Sequence, residues 1–252
     1  MTNEIDWKEY RSLKLRDIGS PRYRHLLLLL YLPVHILAFA VLERIYPSEA
    51  YTLISCAWDQ RIPFCELFVI PYVLWFPFWF GMIAFTLRCD IAVYRKLMWY
   101  TILCCGFSLL LYAVFPNRAA LRPEVFPRDN LLIRLVRFIY TVDESSNACP
   151  SEHVIVALGL IFAVLHCRRL SRPAAAVPLV ALGLLICVSV VYVKQHSAVD
   201  VLAALPLSLV GYLVCFRGRA GTREGLKRGE ALTSLPDTRR RPFEGAKVCA
   251  LV

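Results

Sequence analysis

The chain is divided into long apolar blocks, each near the length a helix needs to cross a bilayer. Six can be traced, at roughly 25–41, 64–87, 97–115, 154–165, 174–193 and 199–216. A hydrocarbon core of about 30 Å takes about 20 helical residues to span. Backbone polar groups in lipid must be satisfied within a helix or a closed barrel, and long continuous apolar runs argue for helices. The expected fold is therefore an all-α integral membrane protein, a bundle of six transmembrane helices. The fourth block is short unless the polar residues before it also lie at membrane depth. With 58% hydrophobic residues and a mean hydropathy of +0.54, the chain is more apolar than a soluble domain, which is nearer half. No repeat is visible, and no separate soluble domain is large enough to stand alone. The organisation expected is a polar segment at 1–24, a membrane domain at 25–216 and a basic tail at 217–252.

The net charge of +10 is arranged by compartment. With the N-terminus assigned to the cytoplasm, 21 of the 29 Lys and Arg residues fall on the cytoplasmic side and 8 outside. This is the positive-inside pattern, so the basic residues orient the protein, and nucleic acid is not an expected partner. The tail is placed to touch anionic lipid. The first twenty residues are polar, and the first block ends at Glu43-Arg44 without a small-residue cleavage site, so it reads as an ordinary span, not a signal peptide. A bacterial inner membrane or a plasma membrane is the expected location, with both termini cytoplasmic.

The ten cysteines show no C-x-x-C and no zinc spacing. Cys104, Cys105, Cys187 and Cys215 sit within spans as packing residues. Cys56 and Cys65 share an outer loop, which leaves a disulfide open. The terminal Cys-Ala-Leu-Val matches a prenylation signal only loosely, because Val is atypical at the last position.

Two polar clusters fall at one membrane face. Pro150-Ser151-Glu152-His153 opens onto the fourth block, and Lys194-Gln195-His196-Ser197-Ala198-Val199-Asp200 turns the chain between the fifth and sixth. His196 and Asp200 are four apart, so at a helix start they share a face. A carboxylate there accepts the N–H of one imidazole nitrogen and leaves the other as a directed nucleophile or base; the plainer reading is a satisfied pair capping a helix. The preceding outer loop supplies Arg118, Arg122 and Arg128. Arginine presents a fork matched to phosphate oxygens, although Arg128 fits lipid-headgroup contact better. Arg122 precedes Pro123, which restricts its backbone. Residues 131–142 carry apolar side chains at helical spacing, as an amphipathic interface helix or a buried lid.

In this order the clusters resemble the type-2 phosphatidic acid phosphatase superfamily of membrane lipid phosphatases. Its pattern is a lysine and an Arg-Pro pair separated by six residues, then Pro-Ser-Gly-His, then Ser-Arg-x5-His-x3-Asp. Here Arg122-Pro123, Pro150-Ser151-Glu152-His153, and Ser189 with His196 and Asp200 match, over roughly 107–216. Phe115, Glu152 and Val190 stand where the family has Lys, Gly and Arg. The chain is more similar to a divergent branch that includes synthases of inositol-phosphorylceramide and sphingomyelin.

The resemblance implies a phosphohistidine route without metal or cofactor, acting on a lipid phosphate or diphosphate at the outer face. His196 is the expected nucleophile, oriented by Asp200, and His153 the acid and base. Arg122, Arg118, Lys194, Ser151 and Ser189 are the expected phosphate-binding set. Glu152 tunes His153, binds an acceptor hydroxyl or faces lipid headgroups. His25, His35 and His166 are read as interfacial or packing residues. Three functions stay open: a lipid phosphate phosphatase, a phosphotransferase passing the group to an alcohol, and a scaffold that has lost activity.

Overall fold

The computed structural model describes residue 10 and residues 13–217, and the tail with its terminal Cys-Ala-Leu-Val lies outside them. The described residues form eight helices. A 3-10 segment, Arg24–Leu30, runs into α1, Tyr31–Ile45. The short α2 is Ala57–Arg61. A 3-10 turn, Glu66–Phe68, leads into α3, Val69–Cys89. Then come α4, Ile91–Val114, α5, Leu131–Val142, α6, Glu152–His166, α7, Pro173–Tyr192, and α8, Ala198–Cys215. Two short strands, β1 (Thr52–Leu53) and β2 (Asn117–Arg118), pair in parallel with Thr52 opposite Asn117.

Among the described residues, five helices are long and apolar enough to cross a membrane: Arg24–Ile45, Glu66–Cys89, Ile91–Val114, Pro173–Tyr192 and Ala198–Cys215. The remaining expected block, α6, is a shorter apolar helix. Its 15 residues rise about 22 Å, short of a bilayer core of about 30 Å. The reason is local. Ser151 caps the helix, its hydroxyl accepting the Val154 N–H at 3.5 Å, and Cys167 closes the other end. In compensation α6 is the centre of the bundle, packed on α3, α4, α7 and α8. Ile155, Ala157, Leu160, Ala163 and Val164 are fully enclosed. Helices that face lipid gain little by hiding leucines, and α1, α7 and α8 leave many exposed, including Leu37, Leu184 and Leu209.

Close approach in the centre depends on glycine. The Tyr100 ring of α4 lies between Gly159 of α6 and Gly211 of α8, and its hydroxyl donates to the Ile155 carbonyl at 2.9 Å. A Cβ at Gly159 would collide with that ring, and one at Gly211 would lie 2.8 Å from it and also strike the Cys104 sulfur.

The loops 46–65, 115–151 and 193–197 meet at one end of the bundle. Thr52 N–H donates to the Pro116 carbonyl, Cys65 N–H to the Tyr192 carbonyl, and Asn147 N–H to the Asn117 carbonyl. Cys56 and Cys65 are both free thiols. Residues 131–142 form the expected amphipathic helix: Ile133, Val136 and Ile139 are buried, while Leu131 and Phe138 are exposed.

Gly159→Ala is expected to destabilise the protein by about 1–3 kcal/mol through overpacking. Gly81→Ala, where a Cβ meets nothing within 4 Å, serves as the control and stays within about 1 kcal/mol of the parent. Thermal unfolding of the two purified variants in detergent measures the difference.

Candidate active site

The turn between α7 and α8 is built backwards onto α7. The N–H groups of Gln195 and His196 both donate to the Val190 carbonyl, at 3.0 and 3.1 Å. Lys194 takes a left-handed backbone, with φ at 60°, to make that reversal. Helix α8 then begins in a capping box. The Ser197 N–H donates to Asp200 Oδ2 at 2.8 Å, and Ser197 Oγ accepts the Val199 N–H at 3.2 Å. These bonds set His196 one turn before Asp200 on the same face.

His196 Nδ1 lies 3.1 Å from the Ala148 carbonyl and 3.2 Å from Asp200 Oδ2. A carbonyl only accepts, so Nδ1 carries the proton and the lone pair is on Nε2. That Nε2 lies 3.4 Å from Nδ1 of His153, in the first turn of α6. The Ser151 N–H donates to the Asp200 carbonyl at 3.0 Å, which ties the start of α6 to α8. His153 is clasped between aromatic rings, with Tyr72 stacked at 4.7 Å and Trp75 tilted at 4.5 Å. Both histidines line a cavity of about 390 Å³ walled by α1, α3, the end of α5 and residues 143–147.

The expected phosphate-binding cations are not in that wall. Arg122 is held by protein acceptors. Its Nε donates to Ser145 Oγ and Gln195 Oε1, each at 3.0 Å, and its terminal nitrogens donate to the carbonyls of Tyr140 and Asp143 and again to Gln195. The guanidinium also lies over the Tyr140 ring at 4.3 Å. Burial draws its pKa down, with Asp143 working the other way. Lys194 donates to the carbonyls of Asp59 and Ile62 at 2.7 and 2.5 Å. Burial lowers its pKa too, against the pull of Asp59. Arg118 sits in β2, its Nε buried without a partner. Arg128 pairs with Glu66 at 3.1 Å. The Ser189 hydroxyl donates within α7 to the Ile186 carbonyl at 2.7 Å. Ser151 acts as the α6 cap.

Several residues join the site without an obvious signal in the sequence. Asp59 in α2 accepts from the Ser197 hydroxyl at 2.6 Å and the Ala198 N–H at 2.8 Å, and so seats the start of α8. Burial alone would raise the Asp59 pKa, but these bonds and those from Cys56 hold it below the usual value. The Asn117 side chain bonds the backbone on either side of the Ala148 carbonyl that grips His196, taking the N–H groups of Ala148 and Cys149 at 3.0 and 2.7 Å. Asn147 has a left-handed backbone, with φ at 50°, and lines the cavity with neither atom of its amide partnered. Burial, then Asp200, pushes the neighbouring Cys149 thiol up to about 12, so it stays protonated at neutral pH.

His35 corrects its reading as a packing or interfacial residue. Its Nε2 meets Glu152 Oε2 at 2.8 Å, and its Nδ1 meets the Tyr31 hydroxyl at 3.1 Å. Glu152 therefore faces the cavity, not the lipid headgroups, and its Oε1 is buried without a partner. An ionisable group inside an apolar block is a functional signal, and this one was readable. His25 and His166 stay outside the cavity, bonded to the Tyr10 hydroxyl and the Phe162 carbonyl.

Comparison of the chain with protein-family models, with curated proteins and with solved structures finds no match.

Arg122→Lys keeps the charge but loses the fork that reaches Gln195, Tyr140 and Asp143 together. It is expected to lower stability by about 1.5–3 kcal/mol for a lost charged hydrogen bond, read as an earlier thermal unfolding midpoint in detergent. An unchanged midpoint with weakened phosphate binding would instead return Arg122 to the ligand.

Proposed function

We propose that the protein is a membrane enzyme that cleaves a lipid phosphate ester through a phosphohistidine on His196. The observation that carries this reading is the His196 hydrogen-bond pattern. Two acceptors hold one nitrogen, and the other turns its lone pair toward His153 in a cavity. In the first step Nε2 forms a bond to phosphorus and the ester P–O bond breaks. The leaving oxygen takes a proton from His153. In the second, water gives its proton to His153 as its oxygen attacks phosphorus, and the P–N bond returns its pair to Nε2. An alcohol in place of water makes the same sequence a transfer. Asp200 stabilises the cationic imidazole and keeps its tautomer. The 3.4 Å contact is that of two ring nitrogens with nothing between, so substrate entry must part them.

With no Lys or Arg in the cavity wall, the charge developing on the phosphoryl oxygens falls to the Asn147 amide and the N-terminal end of α6. We assign α6 as a sixth, recessed crossing, completing the core that the resemblance implies. The basic loops then lie in the cytoplasm and the cavity opens on the other side. Ile36, Phe76 and Phe80 line the cavity and are also exposed, which gives hydrocarbon chains a lateral way out between α1 and α3.

His196→Ala is expected to abolish turnover of every lipid phosphate the parent cleaves. His153→Gln is expected to reduce it by about 10²–10⁴-fold. Phosphate release from purified protein, together with trapping of an acid-labile, alkali-stable phosphoryl group, measures both. Unchanged release by His196→Ala would end the phosphohistidine assignment.

A further inference from the structure

We propose that Trp75 and Trp79 of α3 hold the two acyl carbonyls of a diacyl lipid, so that the cavity selects ester-linked lipids over ether-linked ones. This rests on His196 as the phosphoryl acceptor only for where the phosphate lies; the linkage that the indoles favour is a separate property.

Two unsatisfied donors are the first argument. Tyr72, Trp75, Phe76, Trp79 and Phe80 follow the i, i+3, i+4, i+7, i+8 spacing of one helical face, and all five line the cavity from α3. Trp75 is 7% exposed and Trp79 3%, yet neither indole N–H has a partner among the described residues. An indole N–H only donates, and a buried tryptophan usually finds an acceptor for it. Two such donors one turn apart point to a ligand that brings two acceptors. A water held there instead would need about two to four polar partners. The rings paired with the indoles, Phe76 at 4.8 Å from Trp75 and Phe80 at 5.6 Å from Trp79, offer none.

The second argument is placement. Trp75 tilts against His153 with ring centroids 4.5 Å apart, so the first indole stands beside the place that phosphorus must occupy. Trp79 is 4.8 Å from Trp75, ring to ring, and four residues on, which is about 6 Å along the helix axis. Phe76 and Phe80, the residue after each indole, line the cavity and are also exposed, as Ile36 is on α1. A diacyl lipid presents its groups in the same order. The phosphate comes first, two ester carbonyls follow one glycerol away, and the hydrocarbon leaves from there.

The third argument is the chemistry of the linkage. The Asn147 amide, 2% exposed and also unpartnered, is taken up by the phosphoryl oxygens, which leaves the indoles as the donors for what lies beyond phosphorus. A carbonyl oxygen accepts a hydrogen bond along either lone pair. An ether oxygen at the same position carries no carbonyl beside it, and a polyprenyl chain has no acceptor there at all. Either ligand would bury both indole N–H groups unpaired against hydrocarbon, at the cost of a desolvated donor each time.

The test compares linkages at constant headgroup. The full-length His196→Ala variant, checked against the parent for its unfolding midpoint, is titrated calorimetrically with dihexanoyl and dihexyl forms of three lipids. Their headgroups are phosphate, phosphoglycerol and phosphocholine. In each pair that binds, the ester form is expected to bind at least about 10-fold more tightly, for two hydrogen bonds gained. Trp75→Phe and Trp79→Phe, each in that background, keep an aromatic ring and remove one N–H, and each is expected to narrow the gap to about 3-fold. The gap is measured within one protein, so a general loss of affinity cancels, and Trp79→Phe serves if Trp75→Phe fails to fold. Ester carbonyls labelled with carbon-13 give a second readout. Their stretching frequency is expected to fall on binding, and the double substitution to abolish that fall. Equal binding of ester and ether forms in every pair, or no binding of any, overturns the carbonyl assignment. An equal loss of both forms on Trp75→Phe gives that N–H to the phosphate and overturns the pairing of indoles with carbonyls. Phosphate release that requires His196 but ignores the linkage would end the carbonyl assignment and leave the phosphohistidine reading standing. Ester preference without His196-dependent turnover would keep the carbonyl assignment and end that reading.

Discussion

Polar groups at the end of a lipid-facing bundle must find partners in the protein, and that demand shapes everything around the histidines. Three loops meet there, and each is held by side chains of another. Asp59 seats the start of α8 from the loop that carries α2. Lys194 reaches back to the carbonyls of that same loop. Arg122 closes the carbonyls at the end of α5 onto Gln195. A buried unsatisfied carbonyl or amide costs about 1–3 kcal/mol. Cations suited to a phosphate therefore serve as fasteners. They fasten the turn that carries His196, while Asn117 holds the backbone about the Ala148 carbonyl and the α8 capping box holds Asp200, and the direction of one lone pair depends on both.

The parts legible in the sequence were those that local spacing determines. His196 and Asp200 met because four residues at a helix start are one turn. Ser151, expected in the phosphate-binding set, instead caps α6, as a hydroxyl before an apolar run commonly does. The five long helices followed from apolar length. Arg122 shows where this stops: its partners are two backbone carbonyls and the side chains of Ser145 and Gln195, all distant along the chain, so a guanidinium bound to ligand and one bound to a loop look alike in a sequence. Asn117 and Asp59 were hidden for the same reason, since each acts on backbone N–H groups distant along the chain. The α3 aromatic face was spelled out at 72, 75, 76, 79 and 80, yet it lay inside a block apolar on every side, where periodicity has no contrast.

The short central helix joins fold to chemistry. Because α6 is enclosed by four helices, its interior need not match the bilayer, and its first turn lies within the bundle instead of at its rim. His153 and Glu152 occupy that first turn. They are thus removed from water without a separate lid, although Ile139 and Val142 of α5 help to close the same cavity. Glycines make this possible: Tyr100 fills the space that side chains at 159 and 211 would take, and α6 sits deep because its neighbours come close.

Depth sets a condition on any ligand. Charge removed from water without a partner is expensive, and the effect grows as the surroundings become less polar. The cavity offers imidazoles, aromatic faces and carboxylates, some already bonded within the wall, as Asp143 is to Tyr72. A ligand of net negative charge would need the carboxylates to take up protons or the fastened cations to let go. Releasing Arg122 would free the carbonyls of Tyr140 and Asp143, and releasing Lys194 would loosen the turn that carries His196.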